Sequence, residues 1–130
     1  QALPVGRGRL ARARTWLDLG EKGVLRCAQL RRRGGGGTPL TECISRPSSL
    51  ASDVVLAPED DGWREFGAAR YPLAWTLDAP SLEQRRLAPM SDTRPRADGG
   101  WFGLVAVGQE PVADGESGWG MLELSNFPLR

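Results

Sequence analysis

Short runs in which apolar and polar residues alternate, each closed by Gly or Pro, constrain this chain more than any other feature. The first run puts Ala11, Ala13, Thr15, Leu17 and Leu19 on one side and Arg12, Arg14, Trp16 and Asp18 on the other, the period of a half-buried strand. On a helical wheel the same positions interleave without forming a stripe, so a strand is the better reading. The clearest alternation sets Ala69, Tyr71, Leu73, Trp75 and Leu77 against Arg70, Pro72, Ala74, Thr76 and Asp78. Pro72 cannot donate to a ladder and marks an edge or a bulge there. With 17 Gly and 10 Pro in 130 residues, these runs are separated by many turns, and no internal repeat links them. The expected fold is therefore all-β, an antiparallel β-sandwich or small barrel of about six to seven short strands. Residues 1–9, with Pro4, Gly6, Gly8, Arg7 and Arg9, read as a flexible basic N-terminal arm, and 10–130 as a single β-rich domain.

Turn chemistry divides the rest. Gly20 to Gly23 makes a tight turn before the run Val24 to Leu30, a first hairpin. Arg31 to Arg33, then Gly34 to Gly37, then Thr38 to Ser45 make a second hairpin with a basic, glycine-rich tip. If Arg33 stands opposite Gly37, Cys27 falls directly opposite Cys43, within the range that a disulfide requires. A slip of one residue would send the two Cys to opposite faces, so register and disulfide stand together. Asp53 to Ala57 is a short strand before the acidic turn Glu59-Asp60-Asp61-Gly62. Residues 79–100 read mostly as loop, with one helical turn at Ser81 to Leu87 capped by Ser81. Trp101 to Val107 is apolar on both faces, as a central strand would be, and Trp119 to Ser125 closes the sheet after the turn-rich Gln109 to Gly118. The expected core includes Tyr71, Leu73, Trp75, Leu77, Leu104, Val105, Leu122 and Leu124.

Much chemistry is missing. The chain has no His, which removes the commonest general base, the commonest metal ligand and every Ser-His or Cys-His dyad. Gly115-Glu116-Ser117-Gly118-Trp119 resembles a nucleophile elbow only until Trp119, where that motif requires Gly. Glu59, Asp60 and Asp61 lack the alternating spacing of a calcium loop and read as a solvated turn. Two Cys without CxxC spacing do not make a zinc or redox site. No catalytic residue, no metal site and no cofactor is expected, and an enzyme built on carboxylates ranks third among the functional readings.

What remains is suited to binding. Residues 1–33 carry eight Arg and Lys22 against only Asp18 and Glu21, although the whole chain has a net charge of +1. Trp75 and Trp101 read as core, whereas Trp16 shares a face with Arg12 and Arg14, and Trp63 and Trp119 follow Gly-containing acidic turns. The candidate partner-binding residues are therefore Arg12, Arg14, Trp16, Arg31, Arg32, Arg33, Trp63 and Trp119, facing a protein partner with an acidic surface. The favoured reading is a non-catalytic protein-interaction or structural domain, either an accessory piece of a larger assembly or an extracytoplasmic binding module. Its rival is a Trp-based module for carbohydrate or single-stranded nucleic acid, which ranks second because a pI near 8.0 falls short of the value above about 9 of a dedicated nucleic-acid binder. No apolar run approaches the roughly 18 residues of a membrane helix, so no membrane span is expected. A start at Gln1 without Met, together with a disulfide, fits a processed product that matures outside the cytosol or in an organelle.

Overall fold

The computed structural model describes residues 10–32, 39–90, 93–97, 99–108 and 118–127. Their strands are β1 (Leu10–Asp18), β2 (Val24–Arg32), β3 (Leu40–Arg46), β4 (Val55–Pro58), β5 (Trp63–Phe66), β6 (Ala69–Pro72), β7 (Trp75–Ala79), β8 (Leu82–Pro89), β9 (Trp101–Gly108) and β10 (Gly118–Ser125). Eight of them form one sheet in the order β3-β2-β1-β10-β9-β8-β7-β4, while β5 and β6 make a separate ribbon, and every pairing is antiparallel. The large sheet curls into a nearly closed barrel, the all-β class that the alternation predicts. The strands are more numerous than the about six to seven expected from turn spacing.

Cross-strand register stacks the barrel interior in rows. One row runs Trp101, Leu124, Ala13, Gln29, Thr41 across β9, β10, β1, β2 and β3. The next runs Gly103, Leu122, Thr15, Cys27, Cys43, and the third Val105, Gly120, Leu17, Leu25, Ser45. Large and small residues alternate between these rows because the fully buried Trp101 indole lies over Gly103. A Cβ on Gly103 would stand 2.4 Å from the indole, so the glycine is required by space. Both buried indoles satisfy their N–H: Trp101 donates to the Thr93 carbonyl at 2.8 Å and Trp75 to the Pro72 carbonyl at 2.7 Å. Cys27 and Cys43 face each other in the predicted register, bonded, with Cα atoms 4.1 Å apart.

One side chain bridges the opening of the sheet. Among the described residues β3 and β4 are its two edges, and no ladder joins them. Gln29, buried on the inner face of β2, donates through Nε2 to the backbone carbonyl of Leu56 on β4, spanning the seam where a ladder would otherwise run.

Three expectations are corrected. Ser81 to Leu87 is not a helical turn: Leu82–Pro89 is a strand paired with β7 and β9. A register shift between Leu77 and Ala79 lets Leu82, Arg85 and Leu87 all be buried, and this uneven spacing imitates a helical period in the sequence. The long alternation from Ala69 to Asp78 is broken at Pro72, where the chain leaves the β5-β6 ribbon and enters the main sheet at Trp75. Leu104 is 43% exposed and outside the core. Its strand is central, yet the barrel covers only the face carrying Trp101, Gly103, Val105 and Val107, while Phe102, Leu104 and Ala106 point outward.

This facing assignment sets a stability contrast. Trp75→Ala should cost about 3–5 kcal/mol in denaturant unfolding, whereas Leu104→Ala should cost less than about 0.5 kcal/mol. Comparable losses at both sites would invert the assignment. Intact mass before and after reduction and alkylation should show that Cys27 and Cys43 react only once reduced. Two thiols alkylated in unreduced native protein would remove the bridge.

Candidate functional site

The outer face of β1, β2, β3, β9 and β10 carries the residues that the barrel leaves uncovered. Its central row runs Ile44, Arg26, Trp16, Met121, Leu104, flanked by a row of Glu42, Ala28, Arg14, Glu123, Phe102. On the other flank stand Arg46, Val24, Asp18, Trp119 and Ala106. Ile44 is 77% exposed, Trp119 45%, and Phe102 and Leu104 each 43%, so β3, β9 and β10 present apolar side chains on this face among charged ones. A patch of this kind on a folded domain marks a contact surface more often than idle exposure. Its middle is a shallow depression of about 550 Å³ between Arg14, Trp16, Arg26, Ile44, Phe102 and Met121.

Trp16 and Trp119 meet on this wall edge to face, with ring centroids 5.2 Å apart and planes at 62°. The contact follows from register, since Trp16 stands opposite Met121 and is the diagonal neighbour of Trp119 on β10. Arg12, Arg14 and Arg26 lie along the same face, and none has a hydrogen-bond or ion-pair partner among the described residues. Charge on the wall is mixed, with Arg12, Arg14, Arg26 and Arg46 interspersed among Asp18, Glu42 and Glu123. Aromatic rings and unpaired guanidiniums set among aliphatic side chains match the composition of the energetically dominant part of protein interfaces.

The structure thus brings together Arg12, Arg14, Trp16 and Trp119 and separates them from the other candidates. Trp63 is on the β5-β6 ribbon, half-buried against Phe127 with ring centroids 6.5 Å apart, and Arg70 lies 5.7 Å from the centre of its ring. Arg31 belongs to β2 instead of to the loop, pairs with Ala11, and lines the seam between β3 and β4. Arg32 stands opposite Leu10 in the β1-β2 ladder, its side chain outside the described residues, as is Arg33. The basic arm of residues 1–9 and the glycine tip also lie outside them.

The alternation argument missed Ile44, Phe102, Leu104, Met121 and Arg26. A signal was present in the both-face apolar run Trp101 to Val107, which fits a one-sided barrel as well as a central strand. The acidic turn does not present its carboxylates together: Glu59 accepts from Arg86 Nε at 2.8 Å and from Thr76 Oγ1 at 3.3 Å, while Asp60 and Asp61 are exposed. Among the described residues no group of three or more Cys, Asp or Glu side chains gathers as metal ligands would, and no helix is long and apolar enough to cross a membrane. Comparison with protein-family models, with curated proteins and with solved structures finds no match to this chain.

The Trp16–Trp119 contact should be measurable by itself. A double-mutant cycle with Trp16→Ala and Trp119→Ala should give a coupling of about 0.5–1.5 kcal/mol in unfolding free energy. Strict additivity would mean that the two rings act independently.

Proposed function

We propose that this chain is a non-catalytic protein-interaction module whose docking surface is the outer wall of β1, β2, β3, β9 and β10. The observation that supports it best is the central row Ile44, Arg26, Trp16, Met121, Leu104, which runs across the five strands and includes Ile44 at 77% exposure. A partner covering this row would remove apolar area from water at roughly 25 cal/mol per Å² before the costs of association. Arg12, Arg14 and Arg26, which have no ion-pair partner among the described residues, favour carboxylates on the facing surface. Each such pair at an exposed rim is worth about 0–1 kcal/mol and is screened once the Debye length falls below about 10 Å, so charge would set orientation and rate more than affinity. The Cys27–Cys43 bridge is in keeping with maturation in an oxidising compartment.

Capture from the native source by the immobilised chain tests the proposal. A partner retained by the native chain and by Glu65→Ala on the β5-β6 ribbon should lose at least about 2 kcal/mol of binding with Trp16→Ala, and should also be lost with Phe102→Ser. Retention undiminished by either wall variant would contradict it. Saturable quenching of Trp fluorescence by an oligosaccharide or a single-stranded oligonucleotide, lost with Trp16→Ala, would replace the protein partner with a small ligand on the same wall.

A further inference from the structure

The free edges of β3 and β4 border one slot of about 710 Å³, lined on one side by Gln29, Arg31 and Thr41 and on the other by Leu56, Pro58 and Trp63, with the exposed Asp53 and Asp60 on the β4 side. The register says which backbone groups of β3 are available there. The 4.1 Å Cα separation of Cys27 and Cys43 is near the about 4.5 Å of a non-hydrogen-bonded antiparallel pair and far from the about 5.5 Å of a bonded one. This state repeats at every second residue, so it also holds for Thr41 opposite Gln29. Thr41 and Cys43 therefore turn their N–H and C=O groups away from β2 and toward the seam, while Leu40, Glu42 and Ile44 serve the β2 ladder. On the β4 side the Leu56 carbonyl is already taken by Gln29, and Pro58 has no N–H to offer.

Arg31 supplies the second observation. Its side chain lies two residues beyond Gln29 on the inner face of β2, and its Nε is buried with no hydrogen-bond partner. A buried guanidinium N–H left unmade is costly, and a carboxylate is the acceptor whose planar geometry matches the guanidinium fork. We propose that the seam takes an extended peptide segment of a partner protein, which adds as a strand to the free edge of β3 and carries a carboxylate side chain to Arg31. The period of two then sets the peptide's pattern. Acidic residues alternate with apolar ones, the acids facing Arg31 in the slot and the apolar side chains continuing the outer wall beside Leu40 and Ile44, which are 53% and 77% exposed. This deepens the reading of the chain as a protein-interaction module by naming the form of one partner segment.

The test uses synthetic peptides with the intact chain. A fluorophore-labelled, N-acetylated peptide of alternating valine and glutamate should bind in an anisotropy titration and protect the Thr41 and Cys43 amides from hydrogen exchange. Replacing glutamate by glutamine should weaken binding on the order of tenfold, as the loss of a charge-assisted bond implies. Methylating alternate backbone nitrogens should abolish it in one of the two registers. Arg31→Gln should erase the preference for glutamate, and Thr41→Pro, whose lost N–H faces the seam and not the β2 ladder, should block binding in a chain that circular dichroism shows to be folded. The peptide series leaves the protein untouched and so remains decisive if a variant fails to fold. No binding at millimolar peptide, equal binding of both N-methylated forms, or full displacement by free acetate would overturn the proposal. Phe102→Ser should leave peptide affinity unchanged, so failure here and failure of the outer-wall reading are distinguishable.

Discussion

One side-chain hydrogen bond, from Gln29 to the Leu56 carbonyl, stands where the last ladder of a closed barrel would run. The other strands of the sheet each have two neighbours, whereas β3 and β4 have one. The seam is therefore joined by a side chain, a bond that holds one carbonyl of β4 and uses no backbone group of β3. Gln29 is buried because its partner is buried, and its place between Ala13 on β1 and Thr41 on β3 keeps the polar amide in the same row as Trp101 and Leu124. The slot beside it is lined by polar Gln29, Arg31 and Thr41 facing apolar Leu56, Pro58 and Trp63.

A curled sheet buries one face, and that geometry decides which sequence signals were readable. Alternation fixes parity, so the inward set Ala11, Ala13 and Leu17 and the outward set Arg12, Arg14 and Trp16 were legible from β1 alone. The Cys27–Cys43 pairing was legible because a hairpin register is an arithmetic relation once the loop length is fixed. Where both faces of a strand are apolar, parity says nothing about which face is covered, and Leu104 was placed inside for that reason. Leu82, Arg85 and Leu87 show the other failure: an extra residue in β8 between Leu82 and Arg85 changes its parity against β7, and no residue in the sequence announces it. Gly103 was likewise silent, since its requirement comes from the Trp101 ring that lies over it in three dimensions.

The binding candidates divided along the same line. Arg12, Arg14 and Trp16 were found together because they alternate on one strand, and Trp119 joined them through a β1-β10 ladder between residues more than a hundred positions apart. Ile44 and Met121 do not stand out in their own strands, where charged Glu42 and Glu123 share the outer face with them, and only the five-strand row joins them to Trp16. Arg31 lies on the inner face of a strand instead of in the expected loop, half-buried, with its Nε a buried donor. The wall and the seam meet along β3, whose Ile44 and Leu40 face outward while Thr41 lies at the slot. A partner engaging both would have one strand in common as its reference, which would fix its orientation without any base, acid or metal chemistry.

Oxidative footprinting of the native assembly against the isolated chain tests the central claim most directly, because it reports side-chain access without knowledge of the partner. Trp16, Trp119, Phe102 and Met121 should be oxidised in the isolated chain and protected in the native assembly, while Phe66, half-buried on the separate β5-β6 ribbon, is modified equally in both. Equal modification of the four wall residues in the two states would contradict the assignment of this face as the docking surface.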